Sequence, residues 1–217
     1  VPFGEGFKED ESGDRSGWQP QYRSERLTMD RIADYSGTFL NHMEGNYRPG
    51  DRDLAVELAE ALGLAVVEMR FTETSRPLLA GHFNGADRDP TNNIVFLFEM
   101  PEVQHRVMEL LDRRFEEDVE LREAMQAFRE ATARMPPLMS HFGIRYGSEA
   151  EQARVVEKLS GGLSAGLAER VNVWEVPAYK PIGGLPDIRQ VFVTTNVLSI
   201  GTAGFDQAIE LQAVRGE

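Results

Sequence analysis

The alternation of apolar and polar positions divides the chain into a polar opening, a densely patterned stretch, one long helical tract and a strand-rich end. Residues 1–24 are rich in Gly, Asp, Glu and Ser, with Phe3, Phe7, Trp18 and Tyr22 spaced among them. That composition predicts an extended arm, anchored on a surface by its aromatic side chains. In residues 27–64, Phe39, Leu40 and Met43 share one face of a short predicted helix, and Leu54, Leu58, Ala61 and Leu62 share one face of another. The stretch 45–50 (GNYRPG) separates them, since Pro49 removes a backbone donor and Gly and Asn accept positive φ. Ser36 is the predicted N-cap of the first helix.

Beyond Leu64 the period shortens. Residues 65–72 (AVVEMRFT) and 93–98 (NIVFLF) read as strands, joined by a long hairpin-like link holding Pro77, Gly81, Gly85 and Pro90. Residues 102–135 form the longest helical tract. Val103, Val107, Leu111, Phe115 and Val119 make one stripe, which Leu121, Met125, Phe128 and Met135 continue after a phase shift at 116–118. This tract is expected to be the buried spine of the fold, along Val103, Val107, Leu111, Met125 and Phe128, and Pro136-Pro137 ends it. Ser148 and Glu151 form a capping box for a further helix over 148–159. Residues 171–176, 190–200 and 207–214 predict a small, mostly antiparallel sheet. No internal repeat is visible. The expected fold class is α+β: an arm over 1–24, a helical segment over 25–64 and an α+β domain over 65–217.

The helical segment resembles the helix-turn-helix of the Cro/repressor-like (XRE) regulators, whose recognition helix in one branch reads S-x-S-Y-L-N-x-I-E-x-N-x-R-P. The matching residues are Ser36, Thr38, Phe39, Leu40, Asn41, Met43, Glu44, Asn46, Arg48 and Pro49, and the likeness covers 38 of 217 residues. The resemblance implies a recognition helix over 36–44 that presents Thr38, Asn41 and His42 to a DNA major groove. It places Arg48 on a phosphate, with Arg31 and Arg52 as further phosphate contacts.

Composition narrows the options. The net charge of −13 opposes general nucleic-acid binding, although over 21–53 five arginines nearly balance six carboxylates. The absence of cysteine excludes disulfides, zinc-thiolate sites and cysteine nucleophiles. No run approaches the length of a membrane span and no signal pattern opens the chain, so a cytoplasmic protein with no membrane partner is expected.

Candidate chemistry is sparse. His42, His82, His105 and His141 are scattered; His105 and Glu109 share a helix face, but no third ligand is evident, so no metal site is expected. The Gly-rich run 161–166 lacks the Lys-Ser/Thr of a P-loop, and no G-x-S-x-G elbow occurs. No cofactor and no catalytic residue is expected. The leading expectation is a DNA-binding transcriptional regulator with a C-terminal sensing or dimerisation domain, self-associating as a homodimer or larger assembly. The alternatives are a non-enzymatic assembly protein, such as a viral or phage-like shell or connector subunit, and an enzyme whose site is dispersed along the chain.

Overall fold

The computed structural model describes residues 40, 42–70, 76–83, 93–134, 140–178, 187–200 and 207–216. Contacts divide the chain into Val1–Tyr35 and Ser36–Glu217, and every described residue belongs to the second unit. The expected arm over 1–24, Ser36 and three candidate DNA contacts (Arg31, Thr38 and Asn41) lie outside the described residues.

In chain order the described elements are β1 (His42–Tyr47), α1 (Arg52–Ala61), β2 (Ala65–Met69), β3 (Leu78–His82), β4 (Ile94–Glu99), α2 (Glu102–Glu117) and α3 (Val119–Arg134). They continue with β5 (His141–Arg145), α4 (Glu149–Gly161), α5 (Ala165–Ala168), β6 (Val171–Glu175), β7 (Ile188–Thr195), β8 (Leu198–Ser199) and β9 (Gln207–Val214). They build two mixed sheets with mostly antiparallel pairings, an α+β fold as expected.

The two sheets repeat one plan. In the first, the order is β2-β3-β4-β1, with β1 parallel to β4 and the other pairs antiparallel. In the second, the order is β6-β7-β9-β5, with β5 parallel to β9 and the rest antiparallel. Each half is therefore a βαβββ module: β1-α1-β2-β3-β4, then β5-α4-α5-β6-β7-β9. The two-residue β8, between β7 and β9, crosses over to pair with β1 and ties the second module to the first sheet. The repeat, invisible as residue identity, exists as element order and register.

One continuous core joins the modules. Leu58 of α1, Leu159 of α4 and Leu167 of α5 pack with Val95 and Leu97 of the first sheet and with Val191, Ile209 and Leu211 of the second. Tyr146 donates its hydroxyl to the carbonyl of Leu62 at 2.9 Å, and burial pushes its ionisation well above the ordinary phenol range. Glu57 of α1 anchors the residue ahead of α5, accepting from the backbone N–H (2.6 Å) and the hydroxyl (2.6 Å) of Ser164.

Several expectations are corrected. Residues 42–47 are a strand between β4 and β8 and not the end of a recognition helix. Met43, Gly45 and Tyr47 alternate towards the core, while His42, Glu44 and Asn46 take the other face; Leu40, the expected core partner of Met43, is exposed. Pairing on both sides outweighs a local helical pattern too short to specify itself. The boundary expected between residues 64 and 65 runs through one sheet, because β1 and α1 complete the module that β2, β3 and β4 belong to. The link between the strands at 65–72 and 93–98 contains β3, fully buried, so the hairpin is a three-stranded meander.

The helical tract breaks at Asp118 as expected, but it is not a buried spine. Val103 is 78% exposed, Val107 53% and Phe128 39%, whereas Met108 is the buried residue of α2. The capping box of α4 forms: Ser148 Oγ accepts from the Glu151 backbone at 3.2 Å, and Glu151 accepts from the Gly147 N–H at 3.1 Å.

Candidate active site on the second sheet

The residues of the DNA-reading hypothesis that the structure describes are dispersed. His42 opens β1; Arg48, after β1, donates to Asp112 of α2 at 3.1 Å; Arg52 of α1 pairs with Glu68 of β2 at 2.5 Å. The two arginines neutralise the chain's own carboxylates, and no helix carries His42. His105 and Glu109 lie 3.9 Å apart, one turn from each other on α2. Among the described residues, no three His, Asp or Glu side chains gather to hold a metal ion.

The second sheet draws together residues that the sequence left apart. Its near face carries Val191, Val193, Ile209 and Leu211 into the core. Its far face, by strand alternation and register, carries His141 and Gly143 of β5, Glu210 of β9, Gln190 and Phe192 of β7 and Trp174 of β6. Glu210 is buried, at 5% exposure. His141 Nε2 lies 3.3 Å from Glu210 Oε2, and Gln190 Nε2 donates to Glu210 Oε1. The ring of Phe192 meets the His141 ring edge-on at 5.2 Å, with Trp174 behind it at 6.5 Å. A Cβ at residue 143 would stand in contact with Glu210 Oε2, at 3.6 Å, so the glycine leaves the carboxylate without a neighbouring side chain from that position.

A carboxylate taken out of water costs several kcal/mol unless it is partnered, and a β-branched residue would fill the same strand position without that cost. The arrangement places His141 Nε2 beside the Glu210 carboxylate and leaves the imidazole a quarter exposed at the start of its strand. An oriented imidazole backed by a carboxylate is equipped to take and return a proton.

The first module carries a variant of the same design. His42, like His141, is the first residue of its module's first strand. The position of Glu210 is taken by Phe96, whose ring lies 5.6 Å from His42, and the position of Gly143 is taken by Glu44, 3.9 Å from His42. Two surface clefts lie elsewhere. One of about 560 Å³ is lined by residues including Glu44, Asn46, Phe98, Glu99, Glu102 and Val103, and one of about 450 Å³ by Arg129, Thr132, Arg170, Asn172 and Thr194 among others. Neither encloses His141 or Glu210, so the pair is identified by its chemistry and not by cavity size.

The fold and site thus define a duplicated βαβββ protein with a histidine–carboxylate pair on one of its two sheets. No protein-family model and no curated protein matches the sequence. Among solved structures the chain is similar to a hypothetical protein, SA1046, from S. aureus, at 11% identity and a TM-score of 0.34, over 81% of this chain and 95% of that one. That score carries no argument about function.

His141, Glu210 and Gln190 were not singled out by sequence. The available signal was the strand 207–214 (QAIELQAV), where Glu210 and Gln212 alternate with Ile209, Leu211 and Ala213.

Proposed function

We propose that the chain is an enzyme acting on a small polar molecule by proton transfer, working from the His141–Glu210 pair. The observation that carries this reading is the buried Glu210 carboxylate, held by His141 and Gln190 on a sheet face that needs no charge to fold. It takes up the third expectation, an enzyme with a site dispersed along the chain. The DNA-binding reading loses its recognition element at β1, and no described feature favours a shell or connector subunit.

The test is a thermal-shift screen of small polar metabolites, followed by turnover assays on compounds that stabilise the protein. Glu210→Gln keeps the shape and the contact to Gln190, so it should fold with stability within about 1 kcal/mol of wild type, or gain stability, as groups held for function do. It should abolish turnover, as should His141→Ala, while Glu175→Gln on β6 should not. Compounds that shift wild type and Glu210→Gln equally and are turned over equally by both would remove the proposal.

A further inference from the structure

We propose that α2 is a self-association surface, where two copies of the chain pair antiparallel along Val103, Val107 and Leu110, with Arg113 of each copy against Glu102 of the other. The reasoning is independent of the His141–Glu210 pair. These three apolar residues are 78%, 53% and 46% exposed and, at spacings of four and three, fall on a single face of the helix. The helix does not need that face to be held in place: Met108 is buried on another side, and Asp112 accepts from Arg48. On α3, Val119, Leu121 and Phe128 add to the exposed apolar surface of the same helical pair. A contiguous apolar stripe left open in this way marks an association site.

The charges say what covers it. Along one flank of the stripe run Glu102, Arg106, Glu109 and Arg113, an alternation of acid and base at spacings of four, three and four. Place a two-fold axis between residues 107 and 108 and pair the helix with itself antiparallel. Glu102 then opposes Arg113 at two places, and between them the Arg106–Glu109 pair, already bonded within each copy at 3.0 Å, meets its counterpart with opposite charges facing. A parallel pair would set this flank against the partner's other flank, which carries Gln104, Leu111 and Phe115 and no matching charge. The pattern is therefore self-complementary in the antiparallel pair, whose two-fold axis makes a closed homodimer. Glu102 and Val103 also line the 560 Å³ cleft beside Glu44, so the second copy would border it.

Sedimentation velocity of the full chain over a wide concentration range tests this, with circular dichroism to establish that each variant is folded. Wild type should dimerise. Glu102→Arg alone and Arg113→Glu alone should each weaken association by about tenfold or more, because each sets like charges together at two places. An equimolar mixture of the two variants should associate like wild type, since in the mixed dimer both pairs are again opposite in charge. Val107→Asp, in the middle of the stripe, should leave a folded monomer. A wild-type monomer at every concentration, which would mean the stripe serves some other partner, overturns the proposal. So does a dimer indifferent to these substitutions, and so does a mixture that shows no rescue.

Discussion

Arg170 ties the two modules together through a forked ion pair. It follows α5 in the second module and grips Asp51, the residue ahead of α1 in the first, with two parallel bonds of 2.8 and 2.7 Å. It also donates to the side chain and backbone carbonyl of Asn196, at 2.6 and 3.2 Å. The two charged side chains are 23% and 18% exposed, so the pair lies between the limits for open and fully buried ion pairs. An exposed pair is worth about 0.2–1 kcal/mol, and breaking a buried one costs about 3–5 kcal/mol. Arg170→Ala should therefore cost roughly 2–3 kcal/mol, most of it from leaving Asp51 half-buried without its fork of donors. Urea unfolding of wild type, Arg170→Ala, Asp51→Ala and the double variant isolates the pairwise part, expected at about 1–2 kcal/mol. The transition should stay single, because Leu58 and Leu159 keep one core common to both modules. Additive losses, with coupling under about 0.3 kcal/mol, would show that the shared apolar core alone holds the modules together.

Two further outcomes follow from particular contacts. Gly45→Ala should lower stability by roughly 1–3 kcal/mol, because a Cβ there would stand 3.2 Å from the Ser199 carbonyl oxygen and 3.3 Å from Leu97, where β8 packs on β1; an unchanged or raised Tm would contradict that packing. Glu57 and Glu175 titrate below the usual carboxylate value of 4.5, the first through its hydrogen bonds from Ser164 and the second through the Arg189 guanidinium. Since their folded values lie below their unfolded ones, both contribute stability above pH 4.5 and lose it as the pH falls through the folded values. Glu57→Gln and Glu175→Gln should each flatten the acid limb of Tm against pH, and an acid limb identical to wild type in both would refute the assignment.

How legible the fold was in the sequence depended on where the deciding interactions lay. Elements fixed by their own residues were readable: α1 by Leu54, Leu58 and Leu62, α4 by its Ser148–Glu151 capping box, and the break at Asp118 by its run of acids. Elements fixed by neighbours were not. β1 has only six residues and carries Gly45 and Asn46, and it is a strand because β4 and β8 flank it. β3 (LLAGH) contains Gly81, needed where β3 passes Leu64, and it is buried on both sides, so it shows no alternation to detect. The stripe of α2 misled for a different reason: helical periodicity reports that a face is apolar, not that the same chain covers it. The candidate site was hidden by distance, since 69 residues separate His141 from Glu210 and only the parallel β5–β9 pairing brings them together.

The duplication supplies an internal control for deciding what Glu210 is for. Both modules fold to the same strand order and register, so whatever the plan requires on the far face must be met in both. At the position of Glu210 the first module has Phe96, buried with Leu78, Ala80 and Ile94. A phenyl ring therefore satisfies the plan at that strand position, and a buried carboxylate is not a demand of the fold. The second module also drops the side chain opposite: Gly143 stands where the first module has Glu44, so no Cβ lies against Glu210 Oε2. Two departures from the sister module, a charge added on β9 and a side chain removed on β5, fall on paired residues, next to an imidazole 3.3 Å from the carboxylate. The fold requires neither departure, and both fit the proton transfer that we propose for the His141–Glu210 pair.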